Sequence, residues 1–421
     1  MTFTLCRARA GGRGSRPVQL PREVWILSWA NIMIALGYGV VSPALPTFAR
    51  TFGVSIKAVT FLVTVFSLSR LCFAPVSGLL AQRLGERRIY IGGLLIVALS
   101  TAACAFSQAY WQLLLFRVLS GIGSTMFYVS ALGLMIHISP ADARGRIAGL
   151  FTTSFMVGAV GGPAVGGLAA GWGLTAPFVV YGVALLGVAV VLFYSLRNSA
   201  LAAPPPPTRS TVTMREALRV RAYRSALLSN FATGWSAFGL RIALVPLFIS
   251  DVMGGSVGVI GWVLAAFAGG NALAVVPSGY LSDRMGRRTL LIVGLATSGV
   301  ATVWLGLVST VPSFMVAAFV SGATTGIFMS PLQAAVADIL GSEARAGLPV
   351  AAVQMVTDLG AIVGSLAVGW VAEQLNFAWG FFISGIVLLI AAVGWVVAPE
   401  TRPASEPTSE LLPTAADVEL A

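Results

Sequence analysis

The sequence predicts an all-α membrane protein, with twelve transmembrane helices in two pseudo-symmetric six-helix bundles. Three observations predict it. Of 421 residues, 57% are hydrophobic and 10% charged, against about 25% charged in a soluble domain. The apolar segments run near the length of about 20 residues that crosses a hydrocarbon core, and they do not alternate as barrel strands do. The chain also repeats itself at an offset of 201 residues.

Residues 1–23 are arginine-rich, and the apolar run that follows them is too long for the core of a signal peptide. They read as a cytoplasmic tail, or in part as a misplaced start. Candidate spans at 24–48, 58–81, 89–107, 110–134, 147–170 and 175–196 form an N-terminal bundle over 24–196. A cytoplasmic linker over 197–226 breaks the apolar pattern with Pro204–Pro207, a stiff hydrated spacer. Its Arg215, Arg219, Arg221 and Arg224 suit a surface helix near anionic headgroups. Spans at 227–249, 257–281, 289–309, 312–337, 347–371 and 377–398 form a C-terminal bundle over 227–398. The tail over 399–421 holds Glu400, Glu406, Glu410, Asp417 and Glu419 and is expected to be disordered.

A net charge of +11 would point to nucleic acid in a soluble chain; here basic loops facing a cytoplasm account for it. With both termini inside, 21 of the 26 lysines and arginines fall on cytoplasmic segments, and only Arg50 and Lys57 fall outside. The expected location is the inner (cytoplasmic) membrane, multi-pass. Cys6, Cys72 and Cys104 show no metal-ligand or pairing pattern. His137, the single histidine, stands near the end of the fourth span, where an interfacial structural role outweighs proton shuttling. No metal, cofactor or nucleic-acid partner is expected. P-loops and nucleophile elbows are absent, which argues against direct ATP drive and against an enzyme.

At the 201-residue offset, Ser77, Gly78, Leu80, Arg83, Gly85 and Arg87 align with Ser278, Gly279, Leu281, Arg284, Gly286 and Arg288. Ser120 and Gly121 fall on Ser321 and Gly322. Parallel six-span halves related by an axis along the membrane normal build many secondary transporters, whose substrate site lies between the halves at the midplane. One stretch, Gly158–Gly167, reads GAVGGPAVGG within the fifth span. Glycine costs about 1 kcal/mol and interior proline about 3 kcal/mol relative to alanine in a helix. A helix here needs lipid, which penalises any unpaired backbone, together with a use for small residues such as close approach or bending.

With these residues in view, the chain resembles the major facilitator superfamily, and within it the twelve-span drug:proton antiporters. GLLAQRLGERR at Gly78–Arg88 and GYLSDRMGRR at Gly279–Arg288 resemble the family loop G-x-L-x-D-R-x-G-R-R. RVLSG at Arg117–Gly121 resembles the fourth-span motif. Gly158, Gly162, Pro163, Gly166 and Gly167 match the fifth-span antiporter motif, and LGYGVVSPALP at Leu36–Pro46 matches a first-span pattern. The resemblance implies gating loops at Gly78, Gln82, Arg83, Gly85, Gly279, Asp283, Arg284 and Gly286, and it implicates Arg117 in proton transfer. It also implies a functional monomer that exports a small amphipathic compound or drug by alternating access, driven by the proton gradient. Gln82 departs from the motif's aspartate and Glu86 from a basic residue, which weakens a charged latch in the first half. A single-metabolite exporter or importer of the same fold is the alternative, and a transport-inactive sensor a further one.

Ionisable residues inside spans are costly and usually face the bundle interior. Asp358 is the one acid well inside a span, four residues after Gln354 and so on its face. It is either the proton carrier or the partner of a structural arginine. Arg70, Arg117 and Arg241 outnumber it, so the cavity favours an anionic substrate unless the arginines are satisfied by carbonyls or water. Further cavity candidates are Asn31 and Tyr38, seven apart on the first span, and Tyr128 on the face of Arg117. Trp235 and Phe238, spaced by three with Arg241, and the isolated amides Asn271 and Gln333 complete the set. Against this, an aromatic residue in a span more often packs or faces lipid than binds a ligand.

Overall fold

A computed structural model describes residues 22–138, 144–196, 214–340 and 348–401, leaving out some side chains within them, among them those of Gln82 and His137. The sequence readings of those two side chains, of residues 1–21, of the polyproline spacer and of the acids beyond Thr401 lie outside the described residues.

Among the described residues, twelve helices are long and apolar enough to cross a membrane. The first bundle comprises Arg22–Val41 continued by Ala44–Arg50, then Ile56–Leu84, Glu86–Cys104, Tyr110–Ile138, Arg144–Ala169 and Ala176–Ser195. In the second, the seventh span starts at Arg221 and ends at Asp251, with a π-helical stretch over Trp235–Leu244. Val257–Met285, Arg287–Leu305, Val311–Leu340, Leu348–Gln374 and Phe377–Val396 follow.

The internal repeat is visible in the caps. Ser55 and Ser256, 201 apart, open the second and eighth spans by accepting the amides of Ala58 and Val259. Those spans close on Gly85 and Gly286, at φ 87° and 94°, a backbone region that glycine enters without a Cβ penalty. One residue at each of these turns therefore suffices to send the chain back as the next span.

The linker ends earlier than its composition implies. Met214–Arg219 is a short helix, and the seventh span begins six residues before the apolar run at 227. Tyr223 explains it: its ring is buried and its hydroxyl donates to the Pro349 carbonyl at 2.6 Å, so an aromatic anchor outweighs the flanking arginines. Glu400, read as tail, is likewise ordered. Its carboxylate accepts from the amides of Arg287 (2.9 Å) and Arg288 (3.1 Å), capping the ninth span, where the helix dipole favours an anion.

The stretch Gly158–Gly167 lies in one helix that carries Pro163 inside it. Gly158, Gly162 and Gly166 press against the first span at the carbonyls of Ile32, Leu36 and Val40, so both partners advance by four residues. A Cβ at any of the three would strike backbone, which cannot rotate away as a side chain can. Gly167 faces elsewhere, toward Gly258 and Gly261 on the eighth span. The stripe thus welds two helices of one bundle, and Gly167 alone of the motif glycines meets the other.

Candidate functional site

Contacts between the halves begin at the end opposite the Gly85 and Gly286 turns. There Arg50 pairs with Asp251 across 3.4 Å, two positions related by the 201-residue repeat, and Lys57 pairs with Glu373 across 3.5 Å. Further in, the Thr64 and Ser365 hydroxyls hydrogen-bond at 2.6 Å. Deeper still, the Arg70 Nε lies 3.5 Å from the Asp358 Oδ1, with both side chains nearly buried. Toward the glycine turns, Gly78 has no neighbour within 4 Å of a Cβ position, and Val76, Leu79, Val276 and Tyr280 are exposed. The halves are closed at one end and stand apart at the other.

Asp358 joins the second and eleventh spans at the inner edge of this contact zone. It takes Arg70 as its ion partner and accepts from the Gln354 amide at 3.4 Å, as expected of residues four apart on a helix. Arg117, the other residue expected to take part in proton transfer, is engaged differently. Its guanidinium lies 4.3 Å from the centroid of Phe66, and that of Arg241 lies 4.1 Å from Phe267. Phe66 and Phe267 are 201 residues apart, so each half presents the same ring and covers it with an arginine from a different helix. The packing under each ring repeats too: Gly121 meets the Phe66 carbonyl and Gly322 the Phe267 carbonyl. The two rings escaped the sequence reading, although the repeat that aligned Gly121 with Gly322 also aligns them.

A cation–π contact contributes about 0.5–2 kcal/mol, whereas an arginine at mid-membrane costs about 3 kcal/mol on insertion scales. The rings therefore offset only part of the cost. The Nε atoms of Arg70, Arg117 and Arg241 are buried without a hydrogen-bond partner among the described residues. Tyr38 on the first span meets Phe238 of the seventh edge-on, with the ring centroids 6.3 Å apart. Tyr128 is part-exposed, with its ring 5.9 Å from the Arg70 guanidinium.

Trp235 and Asn271 bond within their own half. Trp235 is buried and donates from its indole nitrogen to Ser384 on the twelfth span, a bond within its own bundle. Trp235–Leu244 is π-helical, and Trp235, Phe238 and Arg241, three apart along it, meet Ser384, Tyr38 and Phe267. The Asn271 amide approaches the Gly322 carbonyl at 3.5 Å, Gln333 is exposed and Asn31 is buried on the first span.

In the second loop motif, Asp283 pairs with Arg287 at 2.8 Å, as its position beside an arginine-rich turn suggests. Arg287 also holds Asp338 at 2.8 Å, tying the turn to the tenth span. Arg288 donates to the Trp395 and Val396 carbonyls, and at the equivalent place in the first half Arg87 donates to the Phe193 carbonyl. Arg83 and Arg284 are exposed at the turns.

Two six-helix halves around a charged midplane cluster, closed at one end, define a membrane transporter. The family profile described as Major Facilitator Superfamily matches residues 27–254 and, a second time, 226–417. The chain belongs to the major facilitator superfamily, whose members are not enzymes. It is 26% identical over 384 residues to the class E tetracycline resistance protein of Escherichia coli, covering 86% of this chain and 90% of the relative. It is 28% identical over 181 residues to the quinolone resistance protein NorA of Staphylococcus aureus, a match over 42% of this chain and 47% of that protein. Among solved structures, the inward-facing, unoccupied crystal structure of a bacterial homologue of the human lysosomal transporter Spinster superposes with a TM-score of 0.74 at 18% identity. That superposition covers 88% of this chain and 95% of the other, and it shows the fold alone.

Proposed function

We propose that this transporter exports a small amphipathic compound by proton antiport, with Asp358 as the proton-carrying group. The observation that carries the proposal is the Arg70–Asp358 pair, which is buried, lies mid-span and bridges the two halves. A carboxylate that must be neutralised for the halves to separate couples protonation to rocking, because proton and substrate then act through different affinities for two states. With the arginine-rich end in the cytoplasm, the open end faces inward, the state that would load substrate. The resistance proteins it resembles support export over uptake.

Proteoliposomes test the proposal. Efflux of a fluorescent amphipath should accelerate under an imposed pH gradient, and Asp358→Asn should abolish that acceleration while leaving downhill exchange. Transport indifferent to both the gradient and the substitution defeats proton coupling. Accumulation of one metabolite in the uptake direction would instead support a single-substrate importer.

A further inference from the structure

We propose that the central cavity receives an organic anion, its carboxylate held between the guanidinium groups of Arg117 and Arg241. The inference deepens the export reading by naming the charge class of the substrate. It starts from a charge inventory at mid-span: three arginines and one acid. Arg70 takes the acid, and among the described residues neither Arg117 nor Arg241 has a carboxylate within ion-pair distance.

Burial without compensation is the second observation. Arg117 is 8% exposed, and both it and Arg241 have a buried Nε with no acceptor. A ring face attracts a cation but accepts no guanidinium hydrogen bond in the plane of the fork, so Phe66 and Phe267 leave each Nε without an acceptor. A carboxylate supplies the missing acceptors and the missing charge together.

Placement is the third. Arg117 belongs to the first half and Arg241 to the second, each over the repeat-related ring of its own half, and Tyr38 of the first span meets Phe238, three residues before Arg241, edge-on at 6.3 Å. An anion between them would touch both halves at the midplane. A cation entering the same space would find its one acid already held by Arg70 and Gln354.

The test uses the full chain in nanodiscs and three probes with one aromatic body: naphthylacetate, naphthylacetamide and naphthylethylamine. The carboxylate should bind tighter than the amide by about tenfold, the factor supplied by one charge-assisted hydrogen bond. Arg241→Gln and Arg117→Gln should each erase most of that preference. Arg241→Lys, which keeps the charge, should retain it and so separates anion binding from a structural role. Equal or tighter binding of the amide or the amine overturns the proposal, as does absence of saturable carboxylate binding at millimolar concentration. Proton-driven flux of the amine with refusal of the carboxylate would overturn the anion and leave proton-coupled export standing. Loss of gradient response with carboxylate preference intact would do the reverse.

Discussion

At the scale of single residues, the protein is governed by how few charges it keeps in its spans and by what each one meets. Arg70 and Asp358 meet each other, so removing one leaves the other buried and uncompensated. Arg70→Gln should therefore destabilise the protein by about 3 kcal/mol, read as a lower melting temperature in detergent. The double variant Arg70→Gln/Asp358→Asn should recover most of that loss, and failure to recover would show that the two side chains act independently. Glu400 makes a smaller contribution of the same kind. Glu400→Gln should cost about 1 kcal/mol at the Gly286 turn by weakening an anionic cap, measurable as a thermal shift with transport largely preserved. Asp358 and Arg117 were legible in the sequence because a charge inside an apolar run is conspicuous. Phe66 and Phe267 were not, since an aromatic residue among many aliphatic ones carries no signal until something is seen to lie on it.

At the scale of elements, the fifth span shows how composition becomes geometry. Lipid holds a glycine-rich segment helical because its backbone has no other partner, and the four-residue spacing then lets the first span approach. The stripe has a built-in control. Gly161 has nothing within 4 Å of a Cβ position, whereas Gly162 meets backbone of the first span. Gly161→Ala should leave transport unchanged, while Gly162→Ala should reduce it severalfold by forcing two helices apart, both scored by initial efflux rate at matched expression. Equal effects would sink the packing account. The seventh span teaches the opposite lesson. Its π-helical stretch has no mark in the sequence, and only the structure shows that residues three apart in it meet Ser384, Tyr38 and Phe267.

At the scale of the whole molecule, the closed end must open if access alternates. Two ion pairs and the Thr64–Ser365 hydrogen bond hold it shut. Cysteines at Thr64 and Ser365, in a background lacking Cys6, Cys72 and Cys104, should form a disulfide on oxidation that stops transport, and reduction should restore it. Undiminished transport by the oxidised protein would mean that this end need not part. Neutralising Glu373 should bias the equilibrium the other way, since it releases Lys57 at the outermost contact. The shift would appear as a longer spin-label distance between the two halves at that end.

The twelve spans, their division into halves, the repeat and the loop turns followed from the sequence by itself. Each rests on a local or periodic property: the length of an apolar run, a glycine at a turn, a residue type recurring after 201 positions. The tertiary structure alone decided which charge meets which. Of the three arginines within spans, Arg70 pairs with Asp358, and Arg50 and Lys57, set apart in the sequence only by their position, meet Asp251 and Glu373. Such pairings join residues hundreds of positions apart across two bundles. Their partners depend on the rotation of each helix about its own axis, which packing sets and hydropathy does not encode.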